Sequence, residues 1–526
     1  MKIIEKQKLD AALDFAKKRK EEILNSKSEY EVKGNIYYLD CETGDNEADG
    51  LSPETAWKCM QRLSSADLKA GDVVLFKRGQ TFRGTMKTVS GVTYSAYGEG
   101  KKPELIGSVN AADPDMWVPT RWKNVWMYVN MISYVRDIGG IAFDEGKCWG
   151  IKVYKNHKTN ERVDMFRSNG DRSEHRRGEL DVFNGRQWIH RECTVWNGPQ
   201  DLKSDLEFYH NWDDEHLYLY CEGNPGKQFS SIELFVRCFI IRNAAGNDNV
   251  TIDNLGLKYA GIHAISSGSC KNFTVRNCEI SFIGGSQMAV EQHKSKAEKI
   301  SYGNDPTRLG NAIEIYGLCE NYLCENNYIH QIYDTGITVQ YQVNNLDRDY
   351  IMKDITWRGN LLDLCHWSLE LWLYSPEKEE RDNDFKTLVK NVDIHDNICL
   401  NNGYGWGRQR PDHGDVCFTG GGGNGTKNTD YENYSIRNNL FLGTKCAIIS
   451  SVAFGEEGIK VFDNKIYGDS SIGNCGSDMK FGVVPRIPLR NNDETIEALE
   501  KSGWWYNNEV LKLTENEKSG EEYFKI

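Results

Sequence analysis

The second half of this 526-residue chain repeats itself, and the repeat limits what it can fold into. Seven segments carry it: "NVTIDNLGL" (249–257), "NFTVRNCEI" (272–280), "NYLCENNYI" (321–329), "DITWRGNLL" (354–362), "NVDIHDNIC" (391–399), "NYSIRNNLF" (433–441) and "IKVFDNKIY" (459–467). Each alternates apolar and polar residues with period 2, the mark of a strand. Each then reaches Asn, Asp or Gly and resumes with an apolar residue. The segments recur about every 23 residues where they are closest; self-similarity at that spacing signals a solenoid, and coils made only of strands signal a parallel β-helix. The expected fold class is therefore all-β, with Asn254, Asn277, Asn326 and Asn438 stacking as a ladder at the coil corners.

A second strand follows each corner: "AISSG" (264–268), "AIEIY" (312–316), "GITVQ" (336–340), "SLELW" (368–372), "DVCFT" (415–419) and "AIISS" (447–451). The second position is always apolar (Ile265, Ile313, Ile337, Leu369, Val416, Ile448) and is assigned to the inside. The third position then faces outward and reads Ser266, Glu314, Thr338, Glu370, Cys417, Ile449. The fifth also faces outward and includes Tyr316, Gln340 and Trp372. With coils about 4.8 Å apart, Glu314 and Glu370 fall about 10 Å apart at the backbone. Two carboxylates, an amide and two aromatic rings on one face fit a sugar subsite better than a solvated surface.

The strand pattern also divides the chain. Residues 1–34 contain a helix whose apolar residues (Leu9, Leu13, Phe15, Ala16) recur at helical spacing. Residues 35–111 form the first coils. Residues 112–235 break the repeat with longer, Trp-rich strands and are expected to form an inserted β-sandwich-like domain. Residues 236–490 hold the main coils, and 491–526 a short helix and terminal cap.

"GDVVLFKRGQTFRG" (71–84) followed by "YSAYGEGKKPELIGS" (94–108) resembles the first coils of the pectin-lyase-like superfamily of right-handed parallel β-helix proteins. Interruption by a β-sandwich resembles glycosidases of the β-xylosidase type, glycoside hydrolase family 120. "RLGNAIEIYG" with "NNYIHQIYDTGIT" looks like β-helix proteins from plant-polysaccharide-degrading bacteria. The resemblance implies a right-handed solenoid and catalytic carboxylates from neighbouring coils, with Glu320 aligning to one of them. Fold alone does not choose among the hydrolases, lyases, esterases and binding proteins built this way.

Read for chemistry, Glu314, Asp334 and Glu370 form the candidate catalytic set. Glycoside hydrolysis needs one acid to protonate the leaving oxygen and one carboxylate to attack or to activate water. Asp334, in "QIYDTGIT", stands just before its coil's outward strand. Tyr316, Gln340, His366, Trp372, Arg308, Asp412 and His413 are candidates for substrate binding. Asp412 and His413 belong to the charged loop "RQRPDHGDVCF" (408–418). "GGGGNG" (420–425) lacks a following Lys and is a loop, not a phosphate cradle.

Composition narrows the partners. The net charge of −13 argues against nucleic acid and anionic membranes. No apolar run approaches a membrane span. The N-terminus lacks a secretory pattern, and the 15 cysteines stand singly without CxxC or metal spacing. A cytoplasmic protein with reduced thiols and no metal is expected. Self-association stays open.

Three functions compete. The first is an exo-acting glycosidase on plant-derived oligosaccharides such as xylo-oligosaccharides, needing no cofactor. The second is a Ca²⁺-dependent polysaccharide lyase, in which the acids hold calcium and Arg308 or Arg410 is the base. The third is a non-catalytic carbohydrate-binding β-helix.

Overall fold

The computed structural model describes residues 2–153, 179–192, 198–287, 308–375, 384–409, 416–419, 429–444, 447–450, 458–468, 471–473, 493–513 and 523–526. The chain is a right-handed parallel β-helix. One face is an eleven-stranded parallel sheet that starts at Ile36–Leu39 and ends at Trp505–Tyr506. The other two faces share a seventeen-stranded sheet. They are joined by two long bent strands, Tyr328–Gln342 and Leu361–Tyr374.

The inside is apolar, as the alternation requires. Ile265, Ile313, Ile337 and Leu369 are 0% exposed and stack coil upon coil. Each such burial contributes roughly 1.5–3 kcal/mol. Cys278, Cys324, Cys365 and Cys399 are buried in the same core as small apolar residues.

At the corners the Asn pairs divide their work, and the ladder differs from expectation by one residue. The stacked residues are Asn327, Asn360, Asn397, Asn439, Asn464 and Asn508. From Asn360 onward each Oδ1 accepts from the Asn one coil earlier, at 2.9–3.0 Å for the Nδ2 donors, while Asn327 Oδ1 accepts the Cys278 N–H. Each Nδ2 also reaches a core carbonyl, as Asn397 does to Trp357 at 2.9 Å. Asn254, Asn277, Asn326 and Asn438 instead hold the left-handed turn before it, at φ of 52° to 61°. Asn tolerates that conformation at less cost than most residues. Two demands, a left-handed turn and a buried amide, thus require two adjacent residues.

The N-terminal helix, Lys6–Leu24, buries Leu9, Ala16 and Ile23. These pack on Tyr328, Leu361, Ile398 and Leu400. Phe15, expected on the apolar stripe, is 51% exposed. The seven-residue spacing of Leu9, Ala16 and Ile23 sets the buried line, and Phe15 falls outside it. The C-terminal helix, Asp493–Glu500, closes the core with Leu499.

After Glu104–Ile106 the chain leaves the coils, and it returns at Ile241–Asn243. The excursion contains a four-stranded antiparallel sheet and a five-stranded, mainly antiparallel one. Ile141, Phe143 and Leu234 of the first pack against Phe208, Leu217 and Trp117 of the second. This unit docks on one corner of the helix. Phe235, Trp149 and Ala142 meet Tyr259, Phe282, Tyr333 and Trp406 there.

Candidate active site

The coils carry Glu314 and Glu370 into one column. Strand pairing runs Ser266 to Glu314, Glu314 to Thr338, and Thr338 to Glu370. The column then continues to Thr419. The aligned strands put Cys417 next to Glu370 and Val416 next to Leu369, and the observed register differs by two residues. Phe418, 1% exposed, is the residue that continues the inner stack after Leu369. Val416 instead pairs with Trp367, because the chain enters this strand two residues earlier than the aligned sequences suggest.

Although they point away from the core, both glutamates are recessed: Glu314 is 9% exposed and Glu370 7%. Glu314 Oε2 accepts from Asn311 Nδ2 at 2.6 Å and lies 2.8 Å from His263 Nε2. The backbone N–H of Asn311 donates to His263 Nδ1 at 2.8 Å. Nδ1 therefore carries the lone pair, Nε2 carries the proton, and the ring donates to Glu314. Burial alone pushes the Glu314 carboxyl up. His263 and the Asn311 amide outweigh that effect and leave it below the ordinary glutamate value. Phe239 stacks on His263, with ring centres 5.6 Å apart and planes at 15°, and holds its orientation.

Glu370 is anchored by three donors. Its Oε2 accepts from Thr335 Oγ1 at 3.2 Å and Thr338 Oγ1 at 3.0 Å. Its Oε1 accepts from Trp372 Nε1 at 3.2 Å. Thr335 also donates its backbone N–H to Asn311 Oδ1 at 2.9 Å. A single hydrogen-bonded frame therefore runs from His263 through Glu314, Asn311 and Thr335 to Glu370.

Asp334 lies within the strand Tyr328–Gln342, at a bulge rather than in a turn. Pairing jumps from Ile332–Cys365 to Thr335–Trp367, so Tyr333 and Asp334 together oppose His366. Asp334 is 9% exposed. Tyr316, Gln340 and Trp372 stand in register on the same face as the glutamates. Tyr316 is 49% exposed and meets Tyr341 edge to face at 6.0 Å. Gln340 and Trp372 are half-buried.

His366 and Arg308 are placed differently. His366 is 0% exposed, with its ring stacked on Trp367. Arg308 is 2% exposed; it donates to the carbonyls of Gly285 and Gly139 and lies over the Tyr333 ring at 4.2 Å. It fastens the inserted unit to the coils. Arg410, Asp412 and His413 lie outside the described residues. Glu320 is tied to Lys271 and Lys353 on another face.

Three consecutive coils of this face supply three polar residues that sequence reasoning missed. His263, Asn311 and Thr335 occupy one position, three residues before Ser266, Glu314 and Thr338. The aligned strands, extended one residue towards the N-terminus, would have shown them. Among the described residues no group of three or more His, Cys, Asp or Glu side chains converges as metal ligands. A cavity of about 830 Å³ lies elsewhere, between the N-terminal helix and the Asn corner, and does not touch the glutamate column.

No protein-family model matches this sequence, and no curated protein does. Solved structures are similar in overall trace only. A structure described as the complex of XylC with xylose is 14% identical, with TM-score 0.38, covering 91% of this chain and 82% of its own. A structure described as a glycoside hydrolase is 10% identical, with TM-score 0.42, covering 88% and 100%. A rhamnogalacturonan lyase is 10% identical, with TM-score 0.33, covering 92% and 90%.

Proposed function

We propose that this chain is a glycoside hydrolase acting at the ends of plant-derived oligosaccharides such as xylo-oligosaccharides. The observation that carries the reading is Glu314. It is a recessed carboxylate kept ionised by His263 and Asn311, in one column with a second carboxylate, Glu370. An ionised carboxylate beside the sugar can attack the anomeric carbon or take a proton from the attacking water. The leaving oxygen then receives its proton from Asp334 or Glu370. Tyr316 and Trp372 offer ring faces to the apolar C–H surface of a sugar, and Gln340 an amide to its hydroxyls. The inserted unit, packed on the corner beside Asp334, favours cleavage at a chain end by walling one side of the groove. The free, mostly buried thiols suit a reducing compartment, and we place the enzyme in the cytoplasm.

The test is turnover of aryl glycosides and short plant oligosaccharides with and without EDTA. Released reducing sugar that survives EDTA and is lost in Glu314→Gln supports the reading. Absorbance from a new C=C bond, sensitive to EDTA, would replace it with β-elimination. Binding without turnover would leave a carbohydrate-binding protein.

A further inference from the structure

The glutamate column does not begin at Ser266. Two earlier coils extend it, because Lys87 pairs with Arg242 and Arg242 with Ser266. The full outward series is Lys87, Arg242, Ser266, Glu314, Thr338, Glu370. Two cations thus stand one coil apart, about 4.8 Å at the backbone, and Arg242 stands two coils from Glu314, about 10 Å.

Both cations are exposed, and among the described residues neither makes a salt bridge. Exposed lysines and arginines are commonly just solvated. Three observations set this pair apart. Like charges directly opposed on neighbouring strands repel, so the pair costs stability where it stands. The chain has 77 acidic against 64 basic residues, yet among the described residues neither has an acidic partner. Arg242 is also directed: its guanidinium lies 5.6 Å from the centre of the Phe239 ring. Phe239 in turn stacks on His263, which donates to Glu314. A continuous series of side chains therefore runs from the free guanidinium to the recessed carboxylate. Beyond Arg242 and Ser266 the chain continues with Ala244 and Gly268, where the later coils carry Tyr316, Gln340 and Trp372. Small residues there leave the cations open to a ligand lying along the column.

We infer that Lys87 and Arg242 form a carboxylate-binding subsite for an acidic sugar, a hexuronate, in an oligosaccharide whose cleaved bond lies at Glu314 and Glu370. The guanidinium fork matches a carboxylate in two parallel hydrogen bonds, and the ammonium adds a point charge. Ser266, between Arg242 and Glu314, offers a hydroxyl to the connecting sugar. The inference rests on the glycosidase reading for the bond that is cut, but the binding of the acidic sugar does not.

The experiment is titration calorimetry with trigalacturonic acid and with glucuronosyl-xylotriose, each beside its carboxyl-reduced counterpart. The proteins are the wild type, Lys87→Gln, Arg242→Gln and the double variant. The expected result is at least a tenfold preference of the wild type for one acid form over its reduced form. Each single variant should lower that preference, and the double variant should abolish it. Equal binding of acid and reduced forms by the wild type overturns the inference. So does failure to bind either acid, or a preference that survives in the double variant. Arg242→Lys separates charge from fork: partial retention is expected. Calorimetry registers binding whether or not a bond is cut. A preserved preference without turnover therefore refutes the glycosidase reading and leaves the subsite standing.

Discussion

Glu314 and Glu370, two coils apart, are anchored to the same residue. The Thr335 amide holds the Asn311 side chain that donates to Glu314, while the Thr335 hydroxyl donates to Glu370. Neither carboxylate can move far without disturbing the other, the kind of positioning that catalysis by paired acids requires.

Glu314→Gln and Glu370→Gln should each lower kcat/KM by about 10³-fold or more. Unfolding free energy should change by only about 1–2 kcal/mol, since each replacement keeps the shape and part of the hydrogen bonding. Thr335→Val should cost about 10-fold, because it removes the hydroxyl to Glu370 and keeps the amide to Asn311. Steady-state kinetics with thermal or denaturant melts checks all three. Retained activity in Glu314→Gln would remove that residue from the reaction.

The pH profile should report the depressed Glu314 carboxyl. The acid limb of kcat/KM should lie below the ordinary glutamate value of 4.5. His263→Phe removes the Nε2–H donor, and burial then dominates, so that limb should move to higher pH. The same group contributes to stability. With its folded value depressed, its contribution is present above pH 4.5 and is lost as pH falls through the lower folded value. Melts of wild type and His263→Phe between pH 3 and 7 (roughly the span over which such carboxylates titrate) give the comparison. A profile unmoved by His263→Phe would mean that the ring does not govern Glu314.

The corner asparagines should separate into two classes. Asn397→Ala deletes an amide bonded to the Trp357 carbonyl and to Asn439, and leaves buried groups unpaired. About 3 kcal/mol should be lost. Asn326→Ala places a Cβ residue less tolerant of φ 52° and should cost about 1 kcal/mol. Urea titration gives the ranking, and a reversed order would contradict the ladder.

A buried ion pair lies within the inserted unit where it meets the coils, at Asp137, whose Oδ2 also accepts the Gln287 N–H. Lys152 Nζ meets Asp137 Oδ2 at 2.7 Å, both 1% exposed or less. Burial pushes the Lys152 amine down to about 8, whereas Lys152 and His210 outweigh burial at Asp137 and hold its carboxyl well below the usual range. Lys152→Met should cost about 3–5 kcal/mol by leaving Asp137 buried and unpaired. Lys152→Met with Asp137→Asn should recover part of that loss. Denaturation of the single and double variants measures it.

The outward column was legible as far as strand period alone could carry it. Ile313 and Leu369 alternate with Glu314 and Glu370, and that alternation placed both carboxylates on one face. It failed at Cys417, because the segment before Val416 does not reveal where pairing starts. It also failed at Phe15, where helical spacing allowed two stripes and only packing chose one. The partners of the carboxylates were less visible. His263, Asn311 and Thr335 are three different residue types, so no repeat marks them. They share one position in the aligned strands, but that they bond the carboxylates emerges only when the coils stack.

By itself, the sequence determined the solenoid, the inward stack of Ile265, Ile313, Ile337 and Leu369, and the shared column of Glu314, Thr338 and Glu370. Period-2 alternation and paired corner residues are local properties, so they can be read along the chain. Tertiary structure alone decided that Glu314 is recessed and held by His263. It also decided that Arg308 is consumed in fastening the inserted unit, and that Lys87 and Arg242 begin the glutamates' column. Burial, hydrogen-bond partners and register between coils depend on residues far apart in the chain, and only the closed helix brings them within reach of one another.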